Sequence, residues 1–491
     1  MMWDGRRAVE HSRPSVVNGL LLIVWLGATL RFHSLFANTF HADEALFAGW
    51  ARLIAVWRDP LLLTQAVDKP PLPFYLQALF YPLFGPAEFA ARLPAFAVSI
   101  LLIPLTAQLA RRLTGDRTAA LVAAGIVALA PLSIQFSATA FTDPLLAFWI
   151  AAALYVAAGA GRPGPAIAGL LFGLALATKY QALLFVPLLV GLARLGGWRG
   201  RDWLRMAGGF GAVLVVLLLW SGARPATGGP VSLQWANIGG LRPAYSWELW
   251  PRLVETMRLW RTALGGGLLA AVVAVAGFVG ARRARVRVAP TEVMLLLFLT
   301  GYIGLHWLWA VPVWDRYLLP VLPLVAVLIG RGVSLALAYA AGRQLPRWLP
   351  VAAMALLVVV QFPFAVNARL GRYPIGGRPA ADGGAAQIAR LLEDAPYGTV
   401  LYDHWYSWHW RYQLFGERVY VSWFPHVDAL LDDLNAFAGT GSGRYIVLPT
   451  TDAARPVLRR LTEAGYRLEA LQVQDEPIDM RLYRIHVAGA K

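Results

Sequence analysis

Two acids, Asp43 and Glu44, and a lysine followed by two prolines, Lys69-Pro70-Pro71, bracket the first long polar stretch of the chain, from Ala37 to about Pro73. An apolar run from Val16 to Phe36 precedes it, so these charges sit where a chain would leave a bilayer. A charge at that depth is costly unless it has a partner or a task. A carboxylate at a helix start can simply cap backbone N–H groups, and Ala45 to Val56 reads as helical. The prolines fix the backbone and aim Lys69 in a set direction, toward lipid headgroups or toward an anion. A stiffly presented ammonium on the same loop as a carboxylate is what a site for a phosphate-bearing substrate requires.

Further along, Thr142-Asp143-Pro144 opens an apolar run, with Asp as cap and Pro at the first helical position as the plain structural reading. Lys179, beside Tyr180 and Gln181, interrupts apolar sequence and should face a water-filled cavity or an anion. In Trp314-Asp315-Arg316-Tyr317 the aromatics suit a membrane interface, and Arg316 either pairs with Asp315 or offers a planar guanidinium to phosphate. Arg92 follows Glu88 and either pairs with it or joins the same cations. His306 lies among aromatic residues and reads as a hydrogen-bonded core side chain. The run Tyr402 to Trp410 could stack on sugar rings, although packing of a small domain accounts for most of it. No HExxH or His pair declares a metal; a divalent ion stays open, with His41, Asp43 and Glu44 able to supply ligands, and no cofactor is assigned.

The elements that must position these residues are membrane helices. The chain has 491 residues, of which 58% are apolar and 15% charged, too greasy for a soluble protein of this length. The expected fold class is a polytopic α-helical membrane protein of about eleven transmembrane helices with a C-terminal extracytoplasmic α/β domain. The spans fall near 16–36, 93–110, 118–136, 143–160, 165–180, 181–194, 205–222, 262–281, 290–310, 316–341 and 349–366. A shorter helix from Pro73 through Phe84 is expected to lie in the interface. The first span follows Arg6, Arg7 and Arg13 but runs longer than a signal-peptide core, so it reads as retained.

The net charge of +16 does not point to nucleic acid, because the arginines fall between apolar runs. Their parity orients the chain: with the N-terminus cytoplasmic, the loops holding Arg111, Arg112 and Arg117, then Arg194 to Arg205, then Arg282 to Arg287, then Arg343 and Arg347 all fall inside. The polar constellations and the C-terminal domain then face outward, in a plasma or bacterial inner membrane. The absence of Cys excludes disulfides, Cys-based metal sites and a thiol nucleophile.

The transmembrane domain is expected over 1–366 and the soluble α/β domain over 367–491, with strands near 399–402, 419–423, 445–448, 466–471 and 481–486. Gly376, Gly377, Gly383 and Gly384 read as a flexible entrance to that domain; no strand-to-helix GxGxxG or Walker pattern occurs.

In order along the chain, Asp43-Glu44-Ala45, Lys69-Pro70-Pro71-Leu72, Ala90-Ala91-Arg92-Leu93-Pro94, Asp143, Gly173 to Lys179 and Arg316-Tyr317-Leu318-Leu319-Pro320 resemble the dolichyl-phosphate-mannose protein mannosyltransferase and aminoarabinose transferase superfamily, the GT-C membrane glycosyltransferases. The resemblance covers roughly the first 365 residues. It implies transfer of a sugar from an undecaprenyl- or dolichyl-phosphate donor to a glycan, lipid or protein acceptor hydroxyl on the outer face, with inversion. It further implies Asp43 as general base beside Glu44, Asp143 near sugar or acceptor, and Lys69, Arg316, Lys179, Tyr317 and Arg92 around the donor phosphate. Tyr180 stands where relatives often have Gly, and the C-terminal domain matches no particular member, which leaves sugar and acceptor open. The WWDYG signature of oligosaccharyltransferases is absent, against transfer of a preassembled glycan to Asn. The competing reading is a transporter or flippase, which would show paired halves and charges near the midplane, or a catalytically silent relative that binds glycan.

Overall fold

The computed structural model describes residues 13–159, 163–224, 231–233, 235, 242–286, 289–342, 346, 348–437, 441–471 and 479–487. Arg6, Arg7, Arg287, Arg343 and Arg347, used above for orientation, lie outside the described residues. In chain order the first eleven helices are α1 (Arg13–Ala37), α2 (Ala42–Ala55), α3 (Leu72–Ala78), α4 (Tyr81–Phe84), α5 (Glu88–Thr114), α6 (Arg117–Leu129), α7 (Pro131–Ser137), α8 (Asp143–Ala157), α9 (Gly164–Thr178), α10 (Val186–Leu195) and α11 (Gly200–Gly222). Contacts divide the chain into two compact units, Met1–Asn38 with Ala51–Pro379, and Thr39–Trp50 with Ala380–Lys491.

The first unit is a helical membrane protein. Among the described residues six helices are long and apolar enough to cross a bilayer, or eight if each bent pair counts as one span. Every one of the eleven sequence-predicted spans falls on helix, but those at α8, α9 and α10 are shorter apolar helices by length and composition. The expected interfacial helix over 73–84 is two pieces, α3 and α4.

One span is broken for a reason legible in its residues. Pro131 carries no N–H, α6 stops at Leu129, and α7 continues at 55° to it. The carbonyls of Val127, Ala128 and Leu129 thereby lose their helical donors. Arg31 replaces them from α1, donating through Nη2 to Val127 at 2.8 Å and through Nη1 to Ala128 at 2.9 Å. Gln361 Nε2 donates to Leu129 at 2.7 Å. Inside a bilayer no water can do this, so a buried arginine ties three helices at the break.

Elsewhere small residues let helices touch. A Cβ on Gly169 of α9 would lie 2.0 Å from the Met206 carbonyl of α11, so these backbones are in contact. Arg331 joins the starts of two helices by pairing with Glu292 at 2.8 Å and with Asp116, the N-cap of α6, at 3.2 Å.

The second unit holds a five-stranded sheet in the order β2-β1-β3-β5-β4, with β1 (Thr399–Asp403), β2 (Val419–Trp423), β3 (Arg444–Pro449), β4 (Tyr466–Ala470) and β5 (Met480–Val487). β1 runs parallel to β2 and β3, and β5 antiparallel to β3 and β4. Alternation sends Tyr402, Ile446 and Leu448 to one core with Leu430, Leu434 and Leu461, and Leu401, Val447 and Leu482 to the other with Ile388, Trp410 and Leu414. The α/β reading of this region is borne out.

Replacing Arg31 with Met should lower stability by about 3 kcal/mol or more, because several buried carbonyls lose their donors at about 1–3 kcal/mol each. Thermal unfolding in detergent measures it, and Arg31→Lys should recover part of the loss.

Candidate active site

Five of the sequence-predicted groups of the first unit, Lys69, Asp143, Lys179, Arg316 and Tyr317, gather around the break between α9 and the 3-10 turn Tyr180–Phe185. Lys179 ends α9 in extended backbone, and its Nζ lies 2.6 Å from Asp143 Oδ1. Asp143 is the first residue of α8 and is 1% exposed. The helix-cap expectation for Asp143 is not realised: the residue before α8 is Thr142, without a side-chain cap bond, and the carboxylate is spent on Lys179. A carboxylate buried this deeply is stable as an ion only with such a partner.

Lys179 also sits 4.6 Å above the Tyr317 ring, and the charges of Arg316 and Lys69 reach it, opposing the pull of Asp143. Arg316 lies over the rings of Phe141 at 5.0 Å and Trp314 at 5.4 Å. Asp315 accepts the Arg316 backbone N–H at 2.7 Å and the Gly376 N–H at 2.8 Å, which sets the turn presenting Arg316. Lys69 is 2.6 Å from Asp68, on a stretch whose prolines Pro70 and Pro71 are buried. Three cations, one tyrosine ring and two buried carboxylates, Asp143 and Asp68, thus share one neighbourhood, where like charges are tolerated if anions sit among them.

Several supporting residues carry no signal in the sequence. Arg224 donates to the carbonyls of Leu62 at 3.0 Å and Gln65 at 2.6 Å, fastening the loop between α2 and α3 to the end of α11. Tyr302 donates to the Tyr317 carbonyl at 2.7 Å and is itself bonded by Gln181. Arg252 donates to the carbonyls of His306, Trp307, Trp309 and Val311, closing the helix Pro290–Leu308 just before Trp314. Each bonds a backbone carbonyl or a distant side chain, which leaves no spacing pattern to read.

Arg92 is buried, donates to the Asn38 carbonyl at 2.6 Å and pairs with Glu88 at 3.4 Å. The loop glycines 376 and 377, read as flexible, are pinned. Gln135 donates to the Gly376 carbonyl at 3.1 Å and Asn38 to the Gly377 carbonyl at 2.9 Å. Gly377 has φ of +77°, and a Cβ there would lie 2.0 Å from the Gln135 carbonyl, so a glycine is required by contact and by backbone.

Asp43 and Glu44 belong to the second unit, at the start of α2. The capping work falls to neighbours of Asp43: His41 Nδ1 accepts the Asp43 N–H at 3.2 Å, and Glu44, 1% exposed, accepts the His41 N–H at 3.0 Å. Within this unit Asp382 accepts from Thr39 Oγ1 at 2.8 Å. Burial pulls the His409 imidazole from its ordinary 6.5 down to about 4, with Asp382 opposing and His41 adding to the shift. No group of three His, Asp or Glu side chains among the described residues is placed to hold a metal, so no step is derived through one.

Of the aromatic run, Tyr402, His409 and Trp410 are buried in the core, and Asp403 is used to cap the turn at Trp405 and Tyr406. Trp408 remains 39% exposed.

The fold is similar to those of the solved membrane proteins ArnT and AglB. ArnT from Cupriavidus metallidurans in the apo state matches with a TM-score of 0.64 at 16% identity, covering 96% of this chain and 98% of that one. ArnT from the same organism bound to undecaprenyl phosphate matches at 0.62 and 16%, covering 94% and 97%. The archaeal oligosaccharyltransferase AglB from Archaeoglobus fulgidus, in complex with an inhibitory peptide and a dolichol-phosphate, matches at 0.54 and 14%, covering 96% of this chain and 76% of that one. The profile of the dolichyl-phosphate-mannose-protein mannosyltransferase family matches residues 68–223, which include Lys69, Asp143 and Lys179. No curated protein sequence matches significantly. The resemblance read from the motifs is borne out, and the chain is a multi-pass membrane protein.

Two outcomes follow from the ion pair and the buried imidazole. Lys179→Met should destabilise by about 3–5 kcal/mol by stranding a buried carboxylate, and the double variant Lys179→Met, Asp143→Leu should recover much of it, as a thermal-unfolding cycle would measure. For His409, the folded pKa lies below the unfolded one, so the unfolded chain binds the proton first and stability is lost as pH falls from about 6.5 to about 4. The loss approaches about 3 kcal/mol, and His409→Gln should flatten that part of the pH–stability curve.

Proposed function

We propose that the chain transfers a sugar from a polyprenyl-phosphate donor to an acceptor hydroxyl on the extracytoplasmic face. The observation that carries this reading is the convergence of Lys179, Arg316 and Lys69 beside a lipid-sized cavity. That cavity, of about 730 Å³, is lined by Pro71, Leu72, Tyr75, Leu174, Ala177 and Trp220. Pro71 is two residues from Lys69 and Ala177 two from Lys179, so the lining includes near neighbours of two of the cations along the chain. α11 lends its lipid-facing surface, with Val216 63% and Leu219 70% exposed. A long apolar chain with a phosphate at its end fits that gradient of chemistry.

When a sugar linked through C1 leaves its phosphate, the phosphate departs without needing a proton. The protein's work is then to stabilise growing negative charge and to activate a hydroxyl. Lys179, Arg316 and Lys69 supply the first in a site shielded from water, and Tyr317 keeps the Lys179 ammonium over its ring. Asp143 holds Lys179 in place. Asp43, with the role the family resemblance implies, takes the acceptor's proton as C1 gains oxocarbenium character, and attack opposite the phosphate inverts the anomeric centre.

The basic loops favour a cytoplasmic N-terminus, with the sheet-bearing part of the chain from Ala380 onward extracytoplasmic. The test incubates purified protein with a panel of polyprenyl-phosphate sugars and follows acceptor-dependent release of the lipid phosphate. Asp43→Asn should lower turnover at least about 100-fold with folding intact. Normal turnover of that variant would remove the base assignment.

A further inference from the structure

A second groove, of about 700 Å³, lies away from the cationic cluster, where α1 meets α5 and the helix Trp348–Arg369. Phe32, Phe36, Phe96 and Ile100 form its apolar walls, and His33 and Arg369 line it with them. Thr29, Phe32, His33 and Phe36 recur at three- and four-residue spacing and so share one face of α1. That face is open to the surroundings, with Phe32 and Phe36 each 58% exposed. The rings form a continuous surface: Phe32 contacts Phe36 at 5.4 Å and Phe96 at 6.4 Å, and Phe36 contacts Phe89 at 5.4 Å.

The two basic side chains are not used by the protein. Among the described residues neither the Arg369 guanidinium nor the His33 ring has a hydrogen-bonding or ionic partner. Arg369 is nevertheless held in place, because the buried Ser34 hydroxyl of α1 donates to its carbonyl at 2.9 Å. A guanidinium in a lipid-facing groove needs an anion, and phosphate matches its planar fork.

We propose that this groove holds an anionic phospholipid of the surrounding membrane, its phosphate at Arg369 and His33 and an acyl chain along Phe32, Phe36 and Phe96. An anionic rather than a zwitterionic lipid fits because the lining holds a guanidinium and no carboxylate, so a headgroup ammonium would find no partner there. The site is separate from the donor cavity: no residue lines both.

The experiment is native mass spectrometry of the full chain in detergent with added phosphatidylglycerol or phosphatidylethanolamine of matched chains. Wild type should retain phosphatidylglycerol in preference, and Arg369→Gln should lower that retention about fivefold while leaving phosphatidylethanolamine unchanged. Phe32→Ala should weaken both lipids. Should Arg369→Gln fail to fold, His33→Gln, an exposed position, serves with a smaller loss in the same direction. Equal retention of phosphatidylglycerol by wild type and by these variants would mean that the basic loops account for the binding, and would overturn the proposal. Because the readout is lipid retention and not turnover, it stands or falls separately from the glycosyltransferase reading.

Discussion

The ion pair between Lys179 and Asp143 is the interaction on which the candidate site depends. Neither charge could remain so deep in an apolar bundle alone, and each accounts for the other's position. Asp143 needs a cation, so the chain must break after Thr178 to turn Lys179 toward it. Lys179, once placed, brings a positive charge to the neighbourhood of Arg316 and Lys69. One pair thus links an irregular stretch of backbone to a chemical property of the site.

The same constraint operates wherever the helices are interrupted. Pro131 frees carbonyls that Arg31 and Gln361 must satisfy. The helix ending at Leu308 is closed by Arg252, and the loop between α2 and α3 by Arg224. Arginine recurs because its fork can serve several carbonyls at once, where water is excluded and no other donor is near. The protein therefore uses its basic residues in more than one way: at the bundle breaks as donors to carbonyls, and in the candidate site as a group of charges around the Lys179–Asp143 pair.

The apolar surface is divided as well. One cavity has in its lining Pro71 and Ala177, each two residues from a lysine, and the other has Arg369 and His33, so each sets a hydrocarbon-like wall near basic residues. That combination is the shape of a lipid with a phosphate headgroup. The second unit obeys different rules: its sheet is covered on both faces by helices, and the aromatic run from Tyr402 to Trp410 supplies core and turn more than open surface.

Much of this was legible in residue order. Hydropathy runs located the helices because burial in lipid demands about 20 apolar residues, and the strands of the second unit announced themselves by alternation. Lys69, Asp143, Lys179 and Arg316 could be singled out because a charge in apolar sequence is expensive. What the sequence could not say was which charge answers which. Arg92 turned to Glu88 and the Asn38 carbonyl, Asp143 to Lys179 instead of its own helix end, and Glu44 to the backbone of His41. Those choices, like the roles of Arg31, Arg224 and Arg252, join groups far apart along the chain, and only packing of the helices brings them within hydrogen-bonding distance.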